Sequence, residues 1–167
     1  MANKNFASTG IRVEDAIDKY GDMIQRICFL NLKNRADVED VFQEVFLKLY
    51  THRDEFKSDE HIKAWLCRVA FNQCKDLNKS FWRRNVGPIE DLEIPYETPE
   101  ESELIPAVLD LPTDWKQVIY LHFYESMTIP EIAKLMNRNI NTVYTMLRRA
   151  KDRLKKELQE DYFSGNL

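Results

Sequence analysis

Residues 128–156 read TIPEIAKLMNRNINTVYTMLRRAKDRLKK. Thr128 is placed to cap a helix N-terminus, and Glu131, three residues on, completes a capping box by reaching back to the cap's own N–H. Pro130 falls in the first turn, where a missing N–H forfeits no helical hydrogen bond. Ile132, Leu135 and Met136 recur at helical spacing. Asn137-Arg138-Asn139 interrupts the pattern: Asn137 suits the left-handed conformation that ends a helix, and Asn139 is a good N-cap for the next. The second helix carries Val143, Met146, Leu147, Ala150 and Leu154 on one stripe. Asn141, Tyr144, Thr145 and Arg148 share the opposite face at i, i+3, i+4 and i+7. That face holds no carboxylate, and its amide, hydroxyl, phenol and guanidinium groups can read base edges in a major groove. The stretch is a helix-turn-helix, and its second helix is the recognition helix. Angled helices also occur as plain scaffold, and cations at a helix C-terminus suit the dipole. Charge decides between the readings: residues 116–156 set nine Lys and Arg against Glu125, Glu131 and Asp152 alone.

Outward from this motif the periodicity stays helical, with four glycines in 167 residues and no sustained strand alternation. The fold class read from the chain is all-α. The net charge of −4 looks wrong for a nucleic-acid binder until the acids are located. Residues 90–114 hold nine Asp and Glu with no Lys or Arg, and residues 86–113 hold five of the six prolines. Uncompensated charge and proline disfavour a packed core. The organisation expected is therefore two small helical domains, 1–85 and 106–167, joined by an acidic, proline-containing linker at 86–105. A helix starting near Glu100 is compatible with the far end of that linker, with Leu104, Val108 and Leu111 packing on the second domain. Lying between two cationic domains, the acids are expected to compete with DNA for the basic faces.

The first domain predicts three helices. The first runs from about Arg12 to Leu32 with Ile17, Tyr20, Ile24, Ile27 and Cys28 inward. The second, Asp37–Tyr50, has a wide apolar stripe of Val38, Val41, Phe42, Val45, Phe46 and Leu49. A second stripe on it, Asp40, Gln43, Glu44 and Leu47, is acidic but ends in a leucine. Such a face suits docking onto a basic partner helix, although a plain solvated face fits the pattern equally. The third helix, about Glu60–Ser80, turns Ile62, Trp65, Leu66, Val69, Ala70 and Leu77 inward. Arg68, Asn72, Lys75 and Lys79 line its other side, and Phe81-Trp82-Arg83-Arg84 follows. Cations interleaved with aromatic rings suit single-stranded nucleic acid, with Trp65 and Phe71 serving the core instead.

These pieces, in this order, resemble the bacterial sigma factors of the extracytoplasmic-function (ECF) type. Residues 37–50 are similar to the family's D-x-E-D-h-x-Q-E-V-F-h-K-h-W segment, with Tyr50 as the aromatic. Phe56 and the run Ala64–Asn72 resemble F-x-x-W-L-x-R-I-A-x-N. Leu111-Pro112 through Leu154 resembles L-P…E-I-A…T-V…R-A-x-x-x-L. The resemblance spans about residues 15–158. It implies that Asp40, Gln43, Glu44 and Leu47 bind the β′ clamp helices of core RNA polymerase, with the β flap as a further contact. It implies that the first domain recognises and melts the −10 promoter element. There the loop residues Phe56, Lys57, Ser58 and His61 would capture a flipped base. Arg68, Asn72 and Lys75, continued by Lys79, Arg83 and Arg84, would hold the single strand. The second domain would read the duplex −35 element through Asn141, Thr142, Tyr144, Thr145, Arg148 and Arg149. The resemblance also implies control by an anti-sigma factor. Asn137 and Arg138 depart from the family's Gly-then-apolar turn. Met146 stands at a usually basic position and Tyr144 at a frequently basic one, so promoter preference does not transfer.

Two rival classes make different predictions. A stand-alone repressor or activator would bind its operator without polymerase, usually as a dimer; the acidic stripe and the second nucleic-acid face speak against it. An enzyme would need a constellation, but His52, His61 and His122 are scattered, and no metal pair, phosphate loop or nucleophile motif is visible. No catalytic residue, metal or cofactor is expected. Cys28, Cys67 and Cys74 are an odd set without zinc spacing and read as buried apolar residues, with a redox or metal role the minor alternative. No secretory signal or membrane-spanning run is visible, and the expected location is the cytoplasm.

Overall fold

A computed structural model describes residues 12–52, 55–84 and 99–158, with side chains up to residue 80 and again from 104. All its elements are helices: α1 Val13–Asn31, α2 Arg35–Thr51, α3 Asp59–Arg84, α4 Pro99–Leu109, α5 Thr113–Ile119, α6 Ile129–Met136 and α7 Ile140–Leu158. Between α5 and α6 the chain widens into one π-helical turn, Tyr120–Tyr124. The chain divides into two units, Met1–Glu93 and Ile94–Leu167. The acidic stretch 86–98 lies outside the described residues. The far end of the expected linker, from Pro99, is helical, and α4 packs against α7 with Leu104 and Val108 half-buried and Leu111 buried.

In the first unit α1, α2 and α3 pack pairwise around Ile24, Ile27, Val45, Leu49, Ile62 and Leu66, each almost wholly removed from water. The second helix starts two residues before the sequence-based boundary because Asn34 caps it. The Asn34 side-chain oxygen accepts from the Asp37 N–H at 2.8 Å, and its amide donates to the Asp37 carboxylate at 2.7 Å. Asn78 ties α3 to the end of α1 by donating to the Asn31 carbonyl at 2.8 Å. Lys19 meets Asp59 at 2.6 Å, and the Tyr20 hydroxyl donates to the Asp59 carbonyl, joining α1 to the start of α3. Burial, then the neighbouring carboxylate, push the Tyr20 phenol above its usual range. All three cysteines are buried. Cys67 packs on the Met23 sulfur at 3.7 Å, and the Cys74 thiol is raised by its hydrogen bond to Cys28 and by burial. The Cys74 thiol therefore stays protonated and unreactive.

One inward assignment is corrected. Ile17 is 37% exposed, because the stripe of α1 that meets the core passes through Ala16 and Tyr20 instead.

In the second unit the helix-turn-helix follows its capping chemistry. The Thr128 hydroxyl accepts from the Glu131 N–H, and the Glu131 carboxylate accepts from the Thr128 N–H at 2.7 Å. Asn137 is left-handed, with φ 53° and ψ 50°. The Asn139 side chain accepts from the Asn141 N–H at 2.8 Å. Val143, Leu147, Ala150 and Leu154 are buried on α7, while Met146 is only half-buried. Lys151, which a helical wheel leaves among solvated cations, is 4% exposed with its ammonium over the Phe123 ring at 5.9 Å. Burial, then repulsion from Lys155, lowers its pKa.

Candidate polymerase and nucleic-acid interfaces

On α2, Asp40 and Gln43 are exposed, Glu44 is half-buried, and Leu47 is 56% exposed. A leucine that open to water has an unspent hydrophobic contribution, and it does not stand alone. Ile17 of α1 and Tyr50 are exposed beside it, and together with Val13, Phe42 and Phe46 they line one open groove with Asp40, Gln43 and Glu44. The surface is an apolar trough with an acidic rim, the composition of a protein-docking face. The stripe anticipated Asp40, Gln43, Glu44 and Leu47. The α1 wall was missed, because a single-helix pattern cannot show which neighbour completes a groove.

At the loop before α3, Phe56, expected from the resemblance to help capture a flipped base, is fully buried. Its ring stacks on His52 at 4.6 Å and meets Trp65 and His61 edge-on at 5.6 and 5.3 Å. An aromatic beside a polar loop is drawn under it by the area it removes from water. Phe56 thus forms the floor of the loop. The loop is pinned from above as well. The Lys57 N–H donates to His61 Nδ1 at 3.1 Å, and the His61 N–H donates to Ser58 Oγ at 3.1 Å. Lys57 and His61 are exposed, and Ser58 is half-buried. Along α3, Arg68, Asn72, Lys75 and Lys79 are all exposed and follow His61 at helical spacing. Arg83 and Arg84 continue the same helix, their side chains lying outside the described set. Of the two aromatics assigned to the core, Phe71 is buried and Trp65 half-buried.

On α7, Asn141, Thr142, Tyr144, Arg148 and Arg149 are exposed and Thr145 is half-buried. The Thr145 hydroxyl donates to the Asn141 carbonyl at 2.9 Å. Trp115 of α5, which the sequence reading did not single out, lines a cleft with Asn141, Thr142, Thr145, Met146 and Arg149. The Arg138 guanidinium pairs with Asp114 at 3.0 Å. This pair accounts for an arginine in the turn, since it fastens the turn to the start of α5. Among the described residues no cluster of three or more His, Cys, Asp and Glu is arranged to hold a metal. His122 donates from Nδ1 to the Met127 carbonyl at 2.9 Å and so braces the bend after the π turn. Among the described residues no helix is long and apolar enough to cross a membrane.

Two family models match the chain: Sigma-70 region 2 over residues 16–85 and Sigma-70 region 4 over residues 103–154. The ECF RNA polymerase sigma factor SigW of Bacillus subtilis is 27% identical, covering 87% of this chain and 88% of its own. The ECF RNA polymerase sigma-E factor of Haemophilus influenzae is 29% identical, covering 75% of this chain and 77% of its own. Among solved structures, the sigma factor RpoE in complex with the anti-sigma factor NepR from Bartonella quintana superposes with a TM-score of 0.73. Its identity is 19%, with 89% of this chain and 97% of that chain covered. CnrH in complex with the cytosolic domain of CnrY superposes at 0.65, with 22% identity and 89% and 88% coverage. At these identities the two structures speak to the fold.

Proposed function

We propose, for a chain that belongs to the sigma-70 family and within it to the ECF sigma factors, a specific division of labour between its surfaces. The protein is a transcription initiation factor. It binds core RNA polymerase, directs it to promoters and is subject to an anti-sigma factor, the kind of partner present in the superposed RpoE–NepR structure. The trough of Asp40, Gln43, Glu44 and Leu47, with Ile17 and Tyr50 added, docks the β′ clamp helices. Lys57, Ser58 and His61 line the loop that receives an unstacked base of the −10 element, with Phe56 as its buried support. Arg68, Asn72, Lys75 and Lys79, continued by Arg83 and Arg84, hold the separated strand. The α7 face of Asn141, Thr142, Tyr144, Thr145, Arg148 and Arg149 reads the −35 duplex, and the β flap meets the same C-terminal unit. The working domains we assign are 1–85 and the unit that begins at α4, with the acids of 86–98 between them. Catalysis of RNA synthesis is left to the polymerase, and work on chromosomal promoters belongs to the cytoplasm.

The observation that carries this reading is one chain with an acidic apolar trough on its first unit and a carboxylate-free helix-turn-helix face on its second. A repressor has no use for the first, and a polymerase-docking adaptor has no use for the second. Run-off transcription on genomic DNA fragments tests it, with core RNA polymerase alone and with this protein added. Discrete new start sites that require both components are the expected outcome, and aligning the upstream DNA then yields both elements. Specific DNA binding without core, and without new transcripts, would overturn it in favour of a repressor.

A further inference from the structure

The cleft beside α7 has a mixed lining that the recognition face alone does not explain. Trp115 and Met146, both half-buried, form an apolar wall, and Asn141, Thr145 and Arg149 stand around it. The wall is held in place. Asp114, next to Trp115, is bonded to Arg138 in the turn immediately before α7, so α5 and the start of α7 are tied at that point. Asn141 is fixed through its backbone, donating to the Asn139 side chain and accepting from Thr145.

The groups a major groove presents are few. Guanine shows two acceptors, which Arg149 matches. Adenine shows an acceptor and a donor, which the Asn141 amide matches. Cytosine shows a donor best matched by a carboxylate; the cleft lining has none, and the adjacent Asp114 is committed to Arg138. Thymine shows the one apolar group of the groove, its C5 methyl. A tryptophan and a methionine next to hydrogen-bonding groups match that methyl and no other base-edge feature.

We propose that Trp115 and Met146 form a thymine-methyl site that sets base preference within the upstream element. This rests on α7 being the helix that reads duplex DNA. Trp115 brings α5 into sequence readout, and Met146 offers contact to a methyl group where α7 would otherwise present only polar and cationic groups to the cleft.

The test uses holoenzyme reconstituted from core polymerase and the full chain, on a promoter obtained by run-off mapping. Each thymine of the upstream element, on either strand, is replaced in turn by uracil, which removes only the methyl and leaves the protein unaltered. One position is expected to lose about four-fold in promoter occupancy, the worth of one buried methylene-sized group. With Met146→Ala or Trp115→Ala that uracil penalty is expected to disappear, while Met146→Lys shifts preference at the position toward guanine. A scan in which no uracil weakens the unaltered protein overturns the proposal, as does a penalty that persists in both alanine variants. If no core-dependent transcript forms, the initiation-factor reading fails instead. The uracil scan is then run on duplex DNA selected by the full chain alone, with the same two outcomes deciding the methyl site.

Discussion

Phe56 and Lys57 are adjacent residues at opposite extremes of burial. Replacing the fully buried ring by Phe56→Ala removes the partner of His52, Trp65 and His61. It is expected to cost about 3–5 kcal/mol of unfolding free energy, measured by denaturant titration. Lys57→Ala changes an exposed side chain and is expected to stay within about 0.5 kcal/mol in the same titration. It should nevertheless weaken capture of a single-stranded −10 oligonucleotide by holoenzyme. Equal stability losses in the two variants would refute the assignment of floor and reader. Lys151 offers a second residue-level prediction. Burial holds its pKa below the ordinary lysine value, so between the two values the unfolded chain binds more protons than the folded one. Stability from this group therefore rises as pH climbs through that interval. Lys151→Met is expected to be more stable than the parent at neutral pH. The difference should shrink toward the alkaline end, where the lysine is neutral in both states. A difference that does not vary with pH would show that packing, not charge, governs the site.

Elements meet closely at one place where a glycine invites a test. Gly21 lies within α1, and a Cβ built on it would meet the Phe42 ring of α2 at 3.6 Å, an ordinary van der Waals contact. Glycine costs a helix interior about 0.5–1 kcal/mol relative to alanine. Gly21→Ala is therefore expected to stabilise the protein by about that amount, read as a higher midpoint in thermal unfolding. Destabilisation would mean that α1 and α2 approach more closely than the spacing implies. The caps tell a related story at the same scale. Thr128, Glu131, Asn137 and Asn139 act within a few residues of their targets, so their roles were readable from order alone. Asn34 was equally local, with Asp37 three residues on, but Asn followed by Asp is not the Ser/Thr–Glu form of the capping box. The π turn at Tyr120–Tyr124 had no such signature. It is held by the Tyr120 hydroxyl donating to Glu125 at 2.6 Å and by Tyr124 stacked on Tyr120 at 5.5 Å, contacts that exist only after the turn has formed.

For the molecule as a whole, charge distribution makes the remaining prediction. Residues 90–103 carry seven acids and no base between two basic faces. Converting them to Asn and Gln is expected to raise the free protein's affinity for DNA and to steepen its salt dependence, as more cations become available to displace counterions. Binding isotherms at several salt concentrations that match the parent would remove the linker from any competitive role. Periodicity, capping and charge blocks are properties of near neighbours along the chain. They were enough to determine an all-helical protein, a helix-turn-helix, an acidic segment between two basic ones, and the exposed stripes of α2, α3 and α7. What they could not determine was which residue of an apolar or basic pattern meets a partner far away in the chain. Ile17 joined a surface trough, Phe56 sank beneath its loop, Lys151 was covered by Phe123, and Trp115 came to stand beside Met146. Each of those outcomes depends on how much surface two distant elements remove from water together, a quantity that arises only when they pack.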